Sequence, residues 1–494
     1  MTEESRVDIL PEDLIPSLAG GSPASRRYAA LMLGIDWPED LGFFFMEAME
    51  NGAVPVRQAV AETLGKLCGM SRNRIDGDMP EELAGVPCLA CLMLGVKDPD
   101  DTTRANSARS LGNLREEEAL QALIGGLSDP AAQVRTEAAR SLGIHRDPRA
   151  GPPLVAALGD ADAAVRGQAA AALEPMRVEE ARGPLLELLE DEDESTRTQA
   201  ALALGALGAP EAVPLLIKAV QAGERWTSYS AVTYLCDMRA AEALPALKGA
   251  LSRPLAIGLQ RHVVRNLAKF GSGEVVPAIC EALEHGGDPK FRLDAIEVLE
   301  ELGDPSAVPI LIQAMERWGD RGAPGALLKL GGREAEDAVI RQVNQPYSKG
   351  MDWRAARLLG ANGITRAMPA LRQAVEDAYP MDMVSHAAMV LARLGDTVTA
   401  PNMVEWLGHE DRDRRRRAAV ALGYLGDGSA TGPLMAALRD PFGKVRKSAA
   451  RSLGLLGDQA AVPALTAALD DIKKGVRKAA GQALERLEEQ EKAS

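Results

Sequence analysis

The chain has 494 residues and carries 71 acidic against 56 basic side chains, which gives a formal net charge of −15. This charge argues against nucleic acid or an anionic membrane as the main partner, because both are bound through basic surfaces. The N-terminal sequence MTEESRVDIL lacks signal-peptide character, and the longest apolar run is too short to span a bilayer. We therefore expect a cytoplasmic protein with no membrane partner.

A sequence pattern recurs along the chain at a step of 31 residues, so that Val445 and Arg446 reappear as Val476 and Arg477. The repeated arginine is found at Arg26, Arg57, Arg104, Arg135, Arg166, Arg197, Arg292, Arg415, Arg446 and Arg477. In the other repeats a leucine seven residues later marks the same position, at Ser228, Gln260, about Asp320, Asp352 and Val384. A period of this length is typical of a solenoid and predicts about fifteen repeats.

Each repeat predicts two helices joined by a short turn. The first is of the VPALTAAL type, from Val462 to Leu469, with apolar residues at helical spacing and a proline near the helix start. In the turn SDPAAQVR, Asp129 suits the N-cap and Pro130 the first helical position, so we expect the second helix to begin there. A glycine such as Gly457 should end it. Strands are hardly expected.

The repeat resembles the HEAT repeat, in the short form named after phycobilisome lyases, whose signature is D-P-x-x-x-V-R-x-x-A-A-x-A-L-G. The resemblance covers nearly the whole chain and is strongest at residues 87–212 and 401–487. It implies an all-α fold, an α-solenoid of about 15 HEAT-like helix pairs that form a curved superhelical rod. It also implies that the repeated arginine and the aspartate six residues before it, such as Arg166 and Asp160, belong to a hydrogen-bonded ladder between neighbouring repeats.

Five segments follow one another along the chain. Residues 1–67 are expected to form the first repeats and an N-terminal cap, and residues 68–86 an inserted polar loop that is either passive or a contact element. Residues 87–212 form regular repeats without an aromatic residue, and residues 213–400 form divergent repeats that contain most of the aromatic residues. Residues 401–494 return to the consensus as C-terminal repeats and cap, with 16 basic against 13 acidic side chains.

No catalytic, cofactor or metal site is predicted. Cys88 and Cys91 form a Cys-x-x-Cys pair on an apolar helix, and without further ligands nearby we expect them to pack as small core residues. The five histidines lie in different repeats. HEAT-like deoxyhypusine hydroxylases hold iron with repeated His-Glu pairs, whereas here His409 and Glu410 form a solitary pair.

A candidate binding surface is predicted one residue after the ladder position, on the second helices. This column is small in the regular repeats, with Ala105, Thr136, Gly167 and Thr198. It then becomes Tyr229, Arg261, Leu293, about Arg321, Trp353, Ser385, Arg416, Lys447 and Lys478. Tyrosine, tryptophan and arginine are enriched at interface hot spots. The alternative is that the aromatic residues fill gaps in degenerate packing and the basic residues keep the surface soluble.

The pattern favours a non-catalytic scaffold or adaptor that binds protein partners through its concave helix face. The expected contact residues are Tyr229, Arg261, Trp353, Arg416, Lys447 and Lys478, and the partner should present an apolar patch beside acidic or phosphate groups. Two alternatives stay open. The repeat family suggests a bilin lyase or chromophore carrier, and the basic C-terminal repeats could bind phosphate or nucleic acid.

Overall fold

The computed structural model describes residues 14–19, 29, 41–72, 87–252, 257–343, 352–377 and 381–493. These residues form α-helices and short 3-10 segments joined by tight turns, and no strand occurs among them. The observed fold is therefore an all-α solenoid, as predicted. The chain divides into two compact units, Met1–Lys269 and Phe270–Ser494.

In the N-terminal unit, a short helix is followed by pairs in which the even-numbered helix comes first. The helices are α1 Pro16–Ala19, α2 Leu41–Asn51, α3 Val54–Arg72, α4 Cys88–Gly95, α5 Asp101–Leu111, α6 Glu117–Gly126, α7 Ala132–His145, α8 Gly151–Ala157, α9 Ala163–Leu173, α10 Arg182–Glu187, α11 Glu194–Ala206, α12 Val213–Ala222, α13 Arg225–Asp237, α14 Leu244–Ser252 and α15 Ile257–Leu267. Helix α3 extends to Arg72, into the segment 68–86 that the sequence suggests is an inserted loop, and residues 73–86 lie outside the described residues.

The C-terminal unit continues the same alternation. Its helices are α16 Val275–Glu284, α17 Pro289–Leu302, α18 Val308–Gln313, α19 Ala323–Leu330, α20 Arg333–Val343, α21 Asp352–Ala361, α22 Met368–Asp377, α23 Met381–Arg393, α24 Thr399–Trp406, α25 Arg412–Leu425, α26 Thr431–Ala437, α27 Gly443–Leu456, α28 Val462–Ala467 and α29 Lys474–Ala493. Within the described residues, α2 to α29 make fourteen helix pairs.

The core lies between the two helices of each pair and between successive second helices, which are the odd-numbered ones from α3 onwards. In α7, Val134, Ala138 and Leu142 are buried at a spacing of four residues, so that one helical stripe faces the core. Gly143 lets α7 approach α9 closely, since a Cβ there would lie 2.8 Å from the Ala172 Cα. Small residues at these contacts explain why the chain needs few aromatic residues.

The second helices begin two residues later than the sequence predicts. Helix α7 starts at Ala132, because the Asp129 carboxylate accepts the Ala131 N–H and two N–H groups of Arg104 instead of capping the helix. Where the turn contains a second aspartate, that residue is the N-cap, as Asp162 is for α9. The predicted glycine stop is confirmed, since α27 ends before Gly457 in the left-handed conformation.

The arginine ladder is present and joins neighbouring repeats. Six ladder arginines donate from both Nε and Nη2 to the aspartate of the next turn, and Arg166 does so to Asp191 at 2.7 and 2.9 Å. Arg292 donates to Asp320 from Nε alone. Its Nη1 donates to the Asp160 carbonyl oxygen of its own turn at 2.9 Å. The ion pairs are Arg57–Asp98, Arg104–Asp129, Arg135–Asp160, Arg166–Asp191, Arg292–Asp320, Arg415–Asp440 and Arg446–Asp471. The arginine is therefore a structural element of the fold.

The tenth repeat differs from the others at about Asp320, its predicted ladder position. Asp320 accepts from Arg292 at 2.8 Å and so occupies the place of the turn aspartate, not that of the ladder arginine. Helix α19 begins at Ala323 and buries Ala323, Pro324 and Leu327, three, four and seven residues after Asp320. The buried residues of α9 stand at the same distances from Arg166, so the core stripe keeps the predicted register. Arg321 lies in the turn before the helix.

Candidate functional site

A groove rich in positive charge crosses the N-terminal ends of α25, α27 and α29 in the C-terminal unit. Its volume is about 570 Å³. We call it the basic groove, and its lining comprises five cationic side chains, one aromatic ring and one carboxylate: Arg412, Arg416, Lys444, Lys447, Lys473, Phe442 and Asp413, together with backbone and apolar atoms of Gly443, Val445, Gly475 and Val476. The groove therefore joins residues from three successive repeats.

None of the five cations of the basic groove forms an ion pair with a residue in the described part of the chain. Phe442 is 42% exposed, and the Arg412 guanidinium carbon lies 5.0 Å from the centroid of its ring. The positive ends of three helix dipoles point toward the same space. Mutual repulsion among these charges favours the arrival of a negatively charged group.

A second cleft lies between α21 and α23 and has a volume of about 710 Å³. We call it the arginine cleft. Its charged and aromatic lining residues are Arg321, Trp353, Arg354, Arg357, His386 and Arg393, and its apolar lining includes Leu358, Met389 and Val390. The Trp353 ring lies 5.1 Å from the His386 ring and is flanked by the Arg354 and Arg357 guanidinium groups at 5.1 and 5.7 Å.

The N-terminal unit contains a comparable aromatic pair at the same register. Tyr229 of α13 is half-buried, and its ring lies 4.9 Å from that of His262 on α15. The tyrosine hydroxyl lies over Gly258, where a Cβ would come within 2.2 Å of it. His262 Nε2 lies 2.9 Å from Thr233 Oγ1 and 3.1 Å from the Tyr229 carbonyl oxygen, and burial lowers the pKa of the imidazole.

The structure brings together only part of the predicted column. Arg416 and Lys447 share the basic groove, whereas Lys478 is exposed outside its lining, and Trp353 belongs to the arginine cleft. Arg261 is half-buried in the N-terminal unit. Arg321 lies in a turn, yet its side chain reaches the arginine cleft.

Most of the lining of both sites lies outside the predicted column, because the column contains one residue per repeat. The missing residues stand one helical turn away on the same face. Arg412 precedes Arg416 by four residues, and Arg357 follows Trp353 by four. The four-residue spacing within the RDRRRR run indicates that Arg412 shares a helix face with Arg416. Phe442 and Lys473 come from turns, and their proximity depends on the stacking of the repeats.

The cysteines and histidines show no metal-binding arrangement among the described residues, where no group of three or more potential ligands comes together. Cys91 is fully buried in α4, and burial raises the pKa of its thiol to about 12, which keeps it protonated. This agrees with the predicted core role of Cys91. No helix in the described ranges combines the length and apolar character needed to cross a bilayer.

Several solved structures align with this chain at low sequence identity. A Kap95p–RanGDP structure aligns with a TM-score of 0.40 and 13% identity, covering 97% of this chain and 77% of the matched chain. A structure of importin beta aligns with a TM-score of 0.41 and 13% sequence identity, covering 97% of this chain and 84% of the matched chain. The structure of Kap121p bound to RanGTP aligns with a TM-score of 0.45 and 14% sequence identity, covering 97% of this chain and 56% of the matched chain. No curated protein matches the sequence.

The sequence itself matches a family model described as HEAT repeats in successive, overlapping stretches. The matched residues are 90–174, 151–231, 183–257, 256–323, 336–423 and 401–485. These stretches cover most of the chain, including the divergent repeats in which the ladder arginine is largely lost. Together with the stacked helix pairs and the arginine ladder, they show that the chain belongs to the HEAT-repeat family.

Proposed function

We propose that this protein is a non-catalytic scaffold whose basic groove binds an acidic segment of a partner protein. The observation that carries the proposal is the cluster of five cations without ion pairs to described residues, arranged around the exposed Phe442 ring. A scaffold made of repeats offers a long face for such contacts without needing a reactive centre. Arg416 and Lys447 of the groove belong to the column of contact residues predicted from the sequence.

The chemistry of the groove specifies the partner segment. The lysine and arginine side chains of the groove are exposed or half-exposed and attract carboxylates, and Phe442 offers an apolar surface beside them. We therefore expect a segment in which acidic residues flank one or two apolar residues. Because the groove is open to solvent, binding should weaken as the salt concentration rises.

Trp353, Tyr229, Arg261 and Lys478 are proposed as further contacts along the second helices. Each lies on the exposed or half-exposed part of its helix. Trp353 is the strongest of these candidates, because it lines a cleft and a tryptophan in such a position contributes most when a partner covers it.

The experiment begins with affinity purification from the native host, followed by mass spectrometry of the retained proteins. Two variants are then compared with the wild type: Trp353→Ala, and a triple variant in which Arg416, Lys447 and Lys478 are each changed to Glu. Each should reduce affinity for the partner at least about tenfold, equivalent to about 1.4 kcal/mol, without lowering the melting temperature.

A matched control changes three exposed cations of the same unit, Arg333, Arg439 and Lys492, to Glu. This control carries the same change in charge outside both sites and should bind normally. Undiminished binding by the folded triple variant would contradict the role of the groove. Retention of nucleic acid instead of protein would favour the phosphate-binding alternative. A new visible absorption band after co-expression with bilin and apoprotein would favour the lyase alternative.

A further inference from the structure

The arginine cleft lacks an anion that the corresponding place in the N-terminal unit contains. In that unit Arg109 of α5 donates two hydrogen bonds to the Glu137 carboxylate of α7, at 3.0 and 2.8 Å. Arg140 lies 3.7 Å from the same carboxylate. Glu137 is almost fully buried, and the pair joins two neighbouring repeats.

The register of the repeats identifies the equivalent residues in the C-terminal unit. Arg109 in α5 and Arg357 in α21 are equivalent, because each stands five residues after the ladder position of its own helix. Glu137 in α7 and His386 in α23 are equivalent, because each stands two residues after the ladder position of its own helix. At the register positions of Arg109 and Glu137, the C-terminal unit therefore has Arg357 and a histidine, and both line the arginine cleft. His386 Nδ1 lies 2.7 Å from the Asp382 carbonyl oxygen, so this nitrogen carries a proton and the ring contributes no negative charge.

The positive charge of the cleft is otherwise unbalanced. Arg321, Arg354, Arg357 and Arg393 line it, and none of the described residues in the lining is acidic. None of the four forms an ion pair with a described residue. Two of the guanidinium groups are held against the Trp353 ring, which limits the conformational freedom lost when they bind.

We propose that the arginine cleft binds a phosphorylated serine or threonine side chain of a partner protein, with the phosphate in the place of the Glu137 carboxylate. A phosphate monoester carries up to two charges and three acceptor oxygens, and guanidinium groups match its geometry in paired hydrogen bonds. Leu358, Met389 and Val390 provide apolar surface for the residues that flank the phosphorylated one. This inference rests on the proposed scaffold function and adds a second, modification-dependent contact to it.

The test uses the full chain and three pools of degenerate, fluorescently labelled peptides that differ only in the central residue, which is phosphoserine, serine or glutamate. We expect the wild type to bind the phosphoserine pool at least about tenfold more tightly than the other two by fluorescence polarisation. Arg357→Gln should remove this preference. Arg333→Gln, which changes an exposed arginine outside the cleft, should retain it.

A second variant distinguishes loss of binding from loss of folding. His386→Glu places a carboxylate opposite Arg357 and reproduces the arrangement of Arg109 and Glu137. It should bind the phosphoserine pool at least about tenfold more weakly while its melting temperature stays at or above that of the wild type. If this variant is unfolded, the double variant Arg354→Gln and Arg357→Gln tests the same loss of phosphoserine binding without introducing a carboxylate into the cleft.

Three outcomes would overturn the inference. They are failure of the wild type to prefer the phosphoserine pool, undiminished binding by folded Arg357→Gln, and loss of binding only when Arg416 and Lys447 of the basic groove are changed. The last outcome would place the phosphate in the basic groove. Equal binding of the glutamate and phosphoserine pools would reject recognition of phosphate but leave the proposed scaffold function intact. The scaffold function itself is tested separately, by the affinity of the Arg416, Lys447 and Lys478 triple variant for the partner protein.

Discussion

At the scale of the single residue, the ladder arginine is the side chain that most clearly connects sequence to structure. Its three nitrogen atoms are used in two directions, because Nε and Nη2 reach the next turn while Nη1 returns to its own turn. The side chain is only about one-eighth exposed in Arg166. Removing it would take two donors from the Asp191 carboxylate, which keeps only the Asp193 N–H, and would remove the donor to the Asp160 and Ala161 carbonyl oxygens.

The first prediction compares Arg166→Ala with Arg197→Ala. Loss of Arg166 should cost about 1–3 kcal/mol of unfolding free energy, because it leaves the Asp191 carboxylate unpaired. Arg197 makes the same backbone hydrogen bonds, but Ala222 stands where the partner aspartate would be. Its replacement should therefore cost less. Equal losses in urea unfolding would show that the ion pair between repeats contributes nothing.

A second prediction at this scale concerns the end of α7. Arg146 has a φ of 53°, in the left-handed region, at the position where other helices end in glycine. Arg146→Gly should raise the unfolding free energy by about 1 kcal/mol, since a side chain in this conformation is strained. Arg146→Ala removes the same side chain but keeps the Cβ, and it should bring little gain. A gain of equal size in both variants would contradict the strain.

At the scale of the element, the second helices are held at a distance set by small residues. Gly143 of α7 and Gly454 of α27 both lie close to the following second helix, where a Cβ would approach a backbone Cα at 2.8 Å. Such contacts cannot relax by a side-chain rotation. A larger side chain at either glycine would therefore have to push the two helices apart.

The third prediction compares two glycines in helices. Gly143→Ala should destabilise the protein by about 1–3 kcal/mol through overpacking against Ala172. Gly125→Ala should stabilise it by about 0.5–1 kcal/mol, because no atom lies within 4 Å of its added Cβ and alanine favours the helix. Thermal melts of both variants measure the effect. Similar melting temperatures for the two would contradict the close contact.

At the scale of the whole molecule, the ladder makes stability depend on pH. Hydrogen bonds from the ladder arginines Arg135, Arg166 and Arg446 hold the pKa values of Asp160, Asp191 and Asp471 below their ordinary value. A carboxyl group with a lowered pKa in the folded state stabilises the protein fully above its ordinary pKa. That contribution is lost as the pH falls through the lower, folded-state value.

The fourth prediction follows from the lowered pKa values of these aspartates. The unfolding free energy should be nearly constant between about pH 5 and 7 and should fall as the pH drops below about 4. Asp191→Asn removes one of the titrating groups, so its difference from the wild type should shrink as the pH falls toward 3. Urea unfolding at several pH values provides the measurement. A difference that stays constant with pH would show that the Asp191 pKa is not lowered by folding.

The sequence by itself determined the all-α solenoid, the helix pairs and the ladder, because these depend on contacts that recur at a fixed spacing. It also indicated Trp353, Arg416 and Lys447 as unusual surface residues. The role of Asp320 in the tenth repeat and the set of side chains that share a cleft emerge only when the repeats are stacked. Phe442, Lys473 and Arg321 join their sites from turns. Phe442 and Lys473 share one repeat position, 31 residues apart, but the period does not give their distances to the helices of neighbouring repeats. A repeat fixes the local spacing along the chain, whereas a site depends on distances between neighbouring repeats after they have stacked.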